Sequence, residues 1–475
     1  MPGRRARPRH RRLLLCRLPL LLLLLQLRKG PDLPMSPRRR FLALLVVPAL
    51  ALAGCNAFKP KPKTPTLGER IPVLNFETRA VAEPELAELT VALPPPVVNT
   101  EWSQSGGSAS KAMGHLSLPD TLTRAWTVSI GNGSTTTRRL NAGPIVLDGV
   151  IYTMDTDGNV RAFDAKGGAL LWKAFIQGPT KKTDAAFGGG VSGGNGKIFA
   201  TTGYGIIVAY DAKTGTELWR KTYKEPLRGS PAVDGNRIFV MSQDNQIRAL
   251  NADKGDELWT VSGTVEVAGM LRTGTPAVAQ ETVVVGFSSG ELNALRAENG
   301  RTVWTDALAR TGRSTAMAAL SDIDASPVID RGRAYAIGHG GRLAVLEMAT
   351  GQRAWERNFA GTSTPWVAGE FVFIVTIEGE VVCLTRSDGK VRWVYNLPAY
   401  QKPKKRKNPI IWSGPVLASD KLYLVGSNKQ MVVISPIDGK LLNTIKLPAP
   451  AFLSPIIADN TLYLLTDDGK LSAWR

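Results

Sequence analysis

The chain has 475 residues, 43% of them hydrophobic, with 3 Cys and a formal charge of +19, which excludes both a disordered polyelectrolyte and a disulfide-stapled miniature fold. Residues 1–54 hold 12 basic residues and one acidic residue, Asp32, so the remainder carries 47 basic against 39 acidic residues, a net of +8. That balance supports solubility and weak attraction to anionic surfaces, and it does not point to nucleic acid as a partner.

Residues 1–34 are Arg-rich, then run through Leu20 to Leu25 into Arg28-Lys29-Gly30-Pro31. They are expected to be either an over-early start or an added leader, because Met35 alone opens a complete export signal. Residues 35–54 form that signal. Arg38, Arg39 and Arg40 make its basic head, and Phe41 to Ala51 make an apolar run too short to span a membrane. Leu52-Ala53-Gly54-Cys55 resembles a bacterial lipobox, which implies cleavage before Cys55 and lipid on its thiol and amine. Asn56 follows, where an Asp would resemble an inner-membrane retention signal, so the outer membrane is the expected location. Residues 55–118 read as a tether and irregular N-terminal segment. Lys59-Pro60-Lys61-Pro62-Lys63-Thr64-Pro65 should be extended and solvated, and polar, Pro-rich sequence continues through Pro94-Pro95-Pro96 to about Leu118. Only Gly68 to Leu74 looks suited to docking.

From about residue 119 one pattern recurs eight times. Its fullest copy is Ser230 to Trp259: two short apolar strands around a turn, then Asn251-Ala252 and Gly255, then the Trp. The other copies start at Gly143, Gly190, Thr275, Ser326, Thr364, Gly414 and Ser454. Their tryptophans, Trp172, Trp219, Trp259, Trp304, Trp355 and Trp393, fall 38 to 51 residues apart, the period of a four-stranded propeller blade. Turns such as Asp155 to Gly158, Ser289-Gly290 and Asp468-Gly469 suit tight hairpins. Copy seven has Asn443 in place of Trp. Copy eight stops at Arg475 without an outer strand, and Leu122 to Ile130, around Trp126, supplies the missing one. The expected fold is therefore all-β: an eight-bladed propeller over 119–475, closed by its N-terminal strand.

The chemical inventory is thin. His115 and His339 have no partner that spacing assigns, and a lone His in a turn is expected to be solvated. His-Glu-x-x-His and paired-Cys zinc patterns do not occur. Asp155-Thr156-Asp157-Gly158-Asn159 resembles the opening of a calcium loop but lacks the bidentate Glu at the twelfth position, so the hairpin reading is preferred. Cys16 and Cys55 lie at the front, and Cys383 sits in an apolar strand. No metal or cofactor is expected. The repeated tryptophans read as blade packing. Lys402, Lys404, Lys405, Arg406 and Lys407 form the one dense basic run, either a solvated loop or a contact for anionic lipid headgroups or an acidic partner surface.

The Ala-x-x-Gly-x-x-x-Trp signature resembles the repeats of quinoprotein dehydrogenases. It also resembles those of the BamB family, propeller lipoproteins of the outer-membrane β-barrel assembly machinery. The lipobox, the bare propeller and the absence of a Cys-Cys pair favour the second. So do two motifs. Leu271-Arg272 before Thr275-Pro276 resembles the family's Leu-Arg-Gly segment, with Thr273 in place of the Gly. Ser321-Asp322-Ile323-Asp324-Ala325-Ser326-Pro327 resembles its Ser-Asp-Val-Asp-x-x-Pro segment. The resemblance implies that Leu271, Arg272, Asp322 and Asp324 contact the barrel-forming subunit, BamA. It implies a non-enzymatic scaffold on the periplasmic face of the outer membrane, with unfolded outer-membrane proteins as a further partner. A quinoprotein oxidoreductase and a scaffold of another envelope complex are the alternatives. The repeat register independently places Arg272 and Asp324 on one face of neighbouring blades, on the long connections 260–274 and 305–325.

Overall fold

The computed structural model describes residues 79–178, 187–265, 274–308 and 322–475. The leader, the signal segment, Cys55 and the Lys-Pro tether lie outside these residues. The chain is all-β, with eight four-stranded antiparallel sheets arranged as a propeller. In blade one, Ile145–Leu147, Val150–Met154, Asn159–Asp164 and Leu170–Phe175 pair in chain order from the axis outward. Blade eight takes Ile456–Ala458, Thr461–Thr466 and Lys470–Trp474 from the C-terminal end and Arg124–Ser129 from the other, with Trp126 opposite Ala473. The closing strand is where the orphan Trp126 sequence places it.

Burial follows position in the blade. The second and third strands are covered on both faces by neighbouring blades, so Phe371–Val375 and Glu380–Thr385 are buried throughout and read as continuous apolar runs. Outer strands such as Glu257–Ser262 bury the Trp and leave most other side chains exposed. That Trp is the joint to the next blade. Trp259 donates its indole N–H to the Ala297 carbonyl at 2.9 Å, and its ring lies on Gly300. Gly300 has φ +71°, and a Cβ there would come within 2.8 Å of the indole, so the position requires glycine twice over. Trp126, Trp172, Trp219, Trp304, Trp355 and Trp393 repeat the arrangement, each donating to a carbonyl of the following blade at 2.8 to 3.2 Å.

Asn443 holds the equivalent place in blade seven, opposite Val433 as Trp393 is opposite Cys383. Its exception has a physical reason. The outer place of blade eight is filled by Arg124–Ser129, so no tight turn joins that blade's third and outer strands. A Trp at 443 would have neither the glycine nor the carbonyl to pack on.

Residues 79–118 are irregular, as expected, but they are not a solvated tether throughout. The innermost strand of every blade leaves an unpaired edge toward the axis, which must find partners if water is excluded. One passing segment supplies them. Asn99 O accepts from Asp459 N–H of blade eight, and Trp102 pairs with Val146 of blade one. Ser103 O takes Gly193 N–H of blade two, and the Gln104 side chain bonds both the N–H and the carbonyl of Val233 in blade three. Ala109 O and Ser110 O take Val278 and Ile329 N–H of blades four and five. Gly114 O accepts the Trp366 indole of blade six, and Leu116 bridges Leu417 and Ser419 of blade seven. The segment thus circles the axis once, meeting all eight blades in ring order. His115 is buried in this circuit. Its Nδ1 donates to Pro94 O at 2.6 Å and its Nε2 accepts from Asp420 N–H at 2.9 Å, so it is a structural rather than a solvated histidine.

Trp259→Ala should lower the unfolding free energy by about 3–5 kcal/mol, because it empties a joint and strands the Ala297 carbonyl. Asn443→Ala should change it by less than about 0.5 kcal/mol. Urea titration followed by circular dichroism checks both, and equal effects would contradict the account of the missing joint.

Candidate functional site

Successive antiparallel strands fix what each end of the propeller carries. Hairpins between first and second strands open on one end. The turns between second and third strands, and all connections from an outer strand to the next inner strand, lie on the other. The connections 260–274 and 305–325 belong to this second end. Leu271 and Arg272 lie outside the described residues. The flanking positions are described: Thr275 N–H donates to Ser326 Oγ at 2.9 Å, and a Cβ on Gly274 would meet the Ala325 carbonyl. The two connections therefore arrive side by side.

Asp322 and Asp324, expected as surface contacts, are both buried. Asp322 Oδ1 faces Arg228 Nη2 at 3.4 Å, with the two side chains 1% and 2% exposed. Arg228 immediately precedes the inner strand of blade three, while Asp322 precedes that of blade five. The pair therefore reaches across the mouth of blade four. Arg228 also donates to Asn245 Oδ1, which accepts from the Ser288 N–H and hydroxyl of blade four, and Asn245 Nδ2 donates to Thr264 O. The main chain joins in: His339 N–H donates to Asp322 O, and Ile323 N–H to Phe287 O. A buried ion pair removes two charges from water and is held only where hydrogen bonds compensate. This network makes three blades one rigid platform beneath the long connections. Sequence reading missed Arg228 and Asn245, since Arg228 lies 94 residues from Asp322. The visible signal was an Arg directly before Gly229-Ser230-Pro231, the repeat's own starting motif.

Where the circling segment passes the starts of the inner strands a cavity of about 140 Å3 remains, lined among others by Trp102, Lys111, Asp324, Ser326, Thr364 and Trp366. Trp102 and Trp366 stack, with ring centroids 6.4 Å apart. Lys111 is buried, and its ammonium donates to Gln104 Oε1 at 3.3 Å. Burial holds its pKa down at about 7. Among the described residues, no group of three or more His, Cys, Asp or Glu is placed to hold a metal ion. Asp155, singled out as calcium-like, spends its oxygens on the Asp157 and Asn159 N–H groups of its own turn and on Arg161. Cys383 is buried, and desolvation pushes its thiol pKa up, away from reactivity. The five cations from Lys402 to Lys407 are exposed and stand on a small two-stranded hairpin, Tyr400–Lys402 with Lys407–Pro409, rather than in a plain loop.

These features define a single eight-bladed propeller of the Trp-jointed repeat class, its axis filled by its own chain and its longest connections gathered on one end. The chain belongs to the family of the outer membrane protein assembly factor BamB, whose family model matches residues 112–186 and 156–395. It is 24% identical over 337 residues to the assembly factor BamB of Moranella endobia, covering 70% of this chain and 84% of that one. It is 26% identical over 355 residues to that of Escherichia coli K12, covering 74% and 88%. The crystal structure of BamB from Moraxella catarrhalis superposes with a TM-score of 0.65 at 19% identity, over 75% of this chain and all of that one. A europium-containing methanol dehydrogenase superposes with a TM-score of 0.62 at 16% identity, over 79% and 89%. At such identities the likeness to these two structures shows a shared fold alone.

Two outcomes follow from the buried charges. Asp322→Ala leaves Arg228 buried without its carboxylate and should cost about 3–5 kcal/mol of stability by urea titration. A loss under 1 kcal/mol would mean that the pair does not hold the platform. Lys111 acts through pH. Its folded pKa lies near 7 against an ordinary 10.5, so between those values the unfolded chain binds a proton that the folded chain does not. Stability therefore falls as pH drops through that window. Lys111→Met should raise the melting temperature most at pH 7 and below, with the gain shrinking toward pH 10; a gain independent of pH would contradict the assignment.

Proposed function

We propose that the chain is a non-catalytic, lipid-anchored scaffold of the outer-membrane β-barrel assembly machinery. It docks the connection end of blades three to five onto a soluble domain of the barrel-forming subunit and assists insertion of outer-membrane proteins. Membership of the assembly-factor family across residues 112–395 is the observation that carries this reading. The side-by-side arrival of Gly274 and Ala325 supports one docking patch, with Leu271 and Arg272 on one connection and the Asp322–Asp324 segment on the other. Asp322 serves that patch by holding its base rather than by meeting the partner directly. Cys55, after a short apolar signal, is the proposed lipid site on the periplasmic face. The filled axis leaves the ends and rim of the propeller as its working surfaces.

Arg272→Glu with Leu271→Ala should cut capture of the barrel-forming subunit at least tenfold in a pull-down, with circular dichroism unchanged. A charged contact desolvated by the partner is worth roughly 2–5 kcal/mol, and a rim charge far less. Wild-type capture by the folded double variant would remove the docking patch from the account. Asp322 is unsuitable for charge reversal, since a second cation beside Arg228 threatens the fold itself. Separately, Cys55→Ala should move the protein from the membrane to the soluble fraction.

A further inference from the structure

We infer that the hairpin of residues 400–409 is an electrostatic membrane contact that seats blade six against anionic phospholipid headgroups. The inference stands on the charge and place of the hairpin and does not require the docking patch proposed above.

Between Leu397 and Ser419 the sequence has five cations and no acidic residue. All five cations, Lys402, Lys404, Lys405, Arg406 and Lys407, stand on the exposed tip. None makes an ion pair with another described residue, whereas Arg and Lys elsewhere on the surface are commonly paired, as in Arg331 with Glu370 or Lys197 with Asp253. The tip is nonetheless held firmly from below. Ile410 N–H donates to Ala399 O, the Trp412 indole donates to Pro398 O at 3.0 Å, and Ile410 and Trp412 are buried. The base is rigid, and its charge is displayed without internal compensation. Beside it, Ile377 and Ile411 are 45% and 48% exposed. Cations flanked by apolar side chains suit the headgroup boundary, where charge meets phosphate and apolar groups reach the acyl region.

Placement selects a membrane over a free acidic protein. Leu397 N–H, at the start of the hairpin connection, donates to Gly379 O. The next residue, Glu380, accepts the Ala80 N–H at 3.2 Å. The first described residues of the N-terminal segment thus attach to the same end of blade six as the basic hairpin. The 23 residues between Cys55 and Arg79 reach at most roughly 80 Å when extended. A chain tethered through Cys55 enters the propeller at this corner, so the cations stand on the same end as the tether's entry.

The test uses the Cys55→Ser chain, which cannot be acylated, and sedimentation with vesicles of phosphatidylglycerol mixed into phosphatidylcholine. Binding should rise with the anionic fraction and fall steeply between 0.05 and 0.5 M salt. Replacing Lys402, Lys404, Lys405 and Lys407 together by Glu should lower it roughly 1,000-fold or more, since each cation near such a surface contributes about 1 kcal/mol. The exposed hairpin lets that variant keep its fold, which circular dichroism checks. Equal binding of the variant, or equal binding to pure phosphatidylcholine, would overturn the inference. So would a variant that keeps vesicle binding but loses capture of the barrel-forming subunit, because the hairpin would then be a protein contact. Loss of capture by the Arg272→Glu variant with vesicle binding intact leaves it standing.

Discussion

The indole of each outer strand rests on a glycine of the next blade's turn, and that contact holds the ring together. No blade can bury both faces of its sheet alone, so stability belongs to the interfaces between neighbours. Each joint does two things at once. It buries the face of a large aromatic ring, and it satisfies a main-chain carbonyl that the turn would otherwise leave open. The glycine is needed because the turn takes positive φ and because the ring occupies the space of a side chain. Seven joints follow this rule, and the place of the eighth is lost to the closing strand. Asn443 is thus a consequence of how the ring is closed rather than a defect in the repeat.

Closure from the N-terminal side has a second consequence. The chain must pass the axis before it supplies the outer strand of blade eight. On the way it pairs with the inner edges of all eight blades. The segment that completes the ring on the outside therefore also fills it on the inside. What remains for partners is the connection end, stiffened by Arg228, Asp322 and Asn245, and the rim of blade six with its uncompensated cations. Buried charges must be partnered, as Arg228 and Asp322 are, and charges displayed without ion pairs are available. In this molecule the two cases lie at different places on the same end.

The propeller was legible because every repeat must make the same local contact, so Trp, Gly and the alternating strands recur at a fixed spacing. Trp126 and the unfinished eighth copy even revealed how the ring closes. The filled axis was not legible, and the reason is physical. Residues 97–118 bind mainly through main-chain groups, such as the carbonyls of Ser103, Ala109, Ser110 and Leu116, which any side chain permits. Side-chain contacts to the blades are few, among them those of Asn99, Trp102, Gln104 and His115. The Asp322–Asp324 motif was found by resemblance, but its burial was hidden because Arg228 comes from a blade two repeats earlier. His115 looked solvated for a similar reason: both of its partners are main-chain groups.

The central claim is that the protein works through its ends and rim because its axis is closed by its own chain. Hydrogen exchange of the intact protein, resolved to single residues, tests this directly. The inward-facing amides of Gly193, Val278, Ile329 and Asp459 should be protected as strongly as Val240 and Val284, which lie within blades. Exchange of those four at the rate of solvent-exposed amides, with the blade interiors still protected, would mean an open channel and contradict the account.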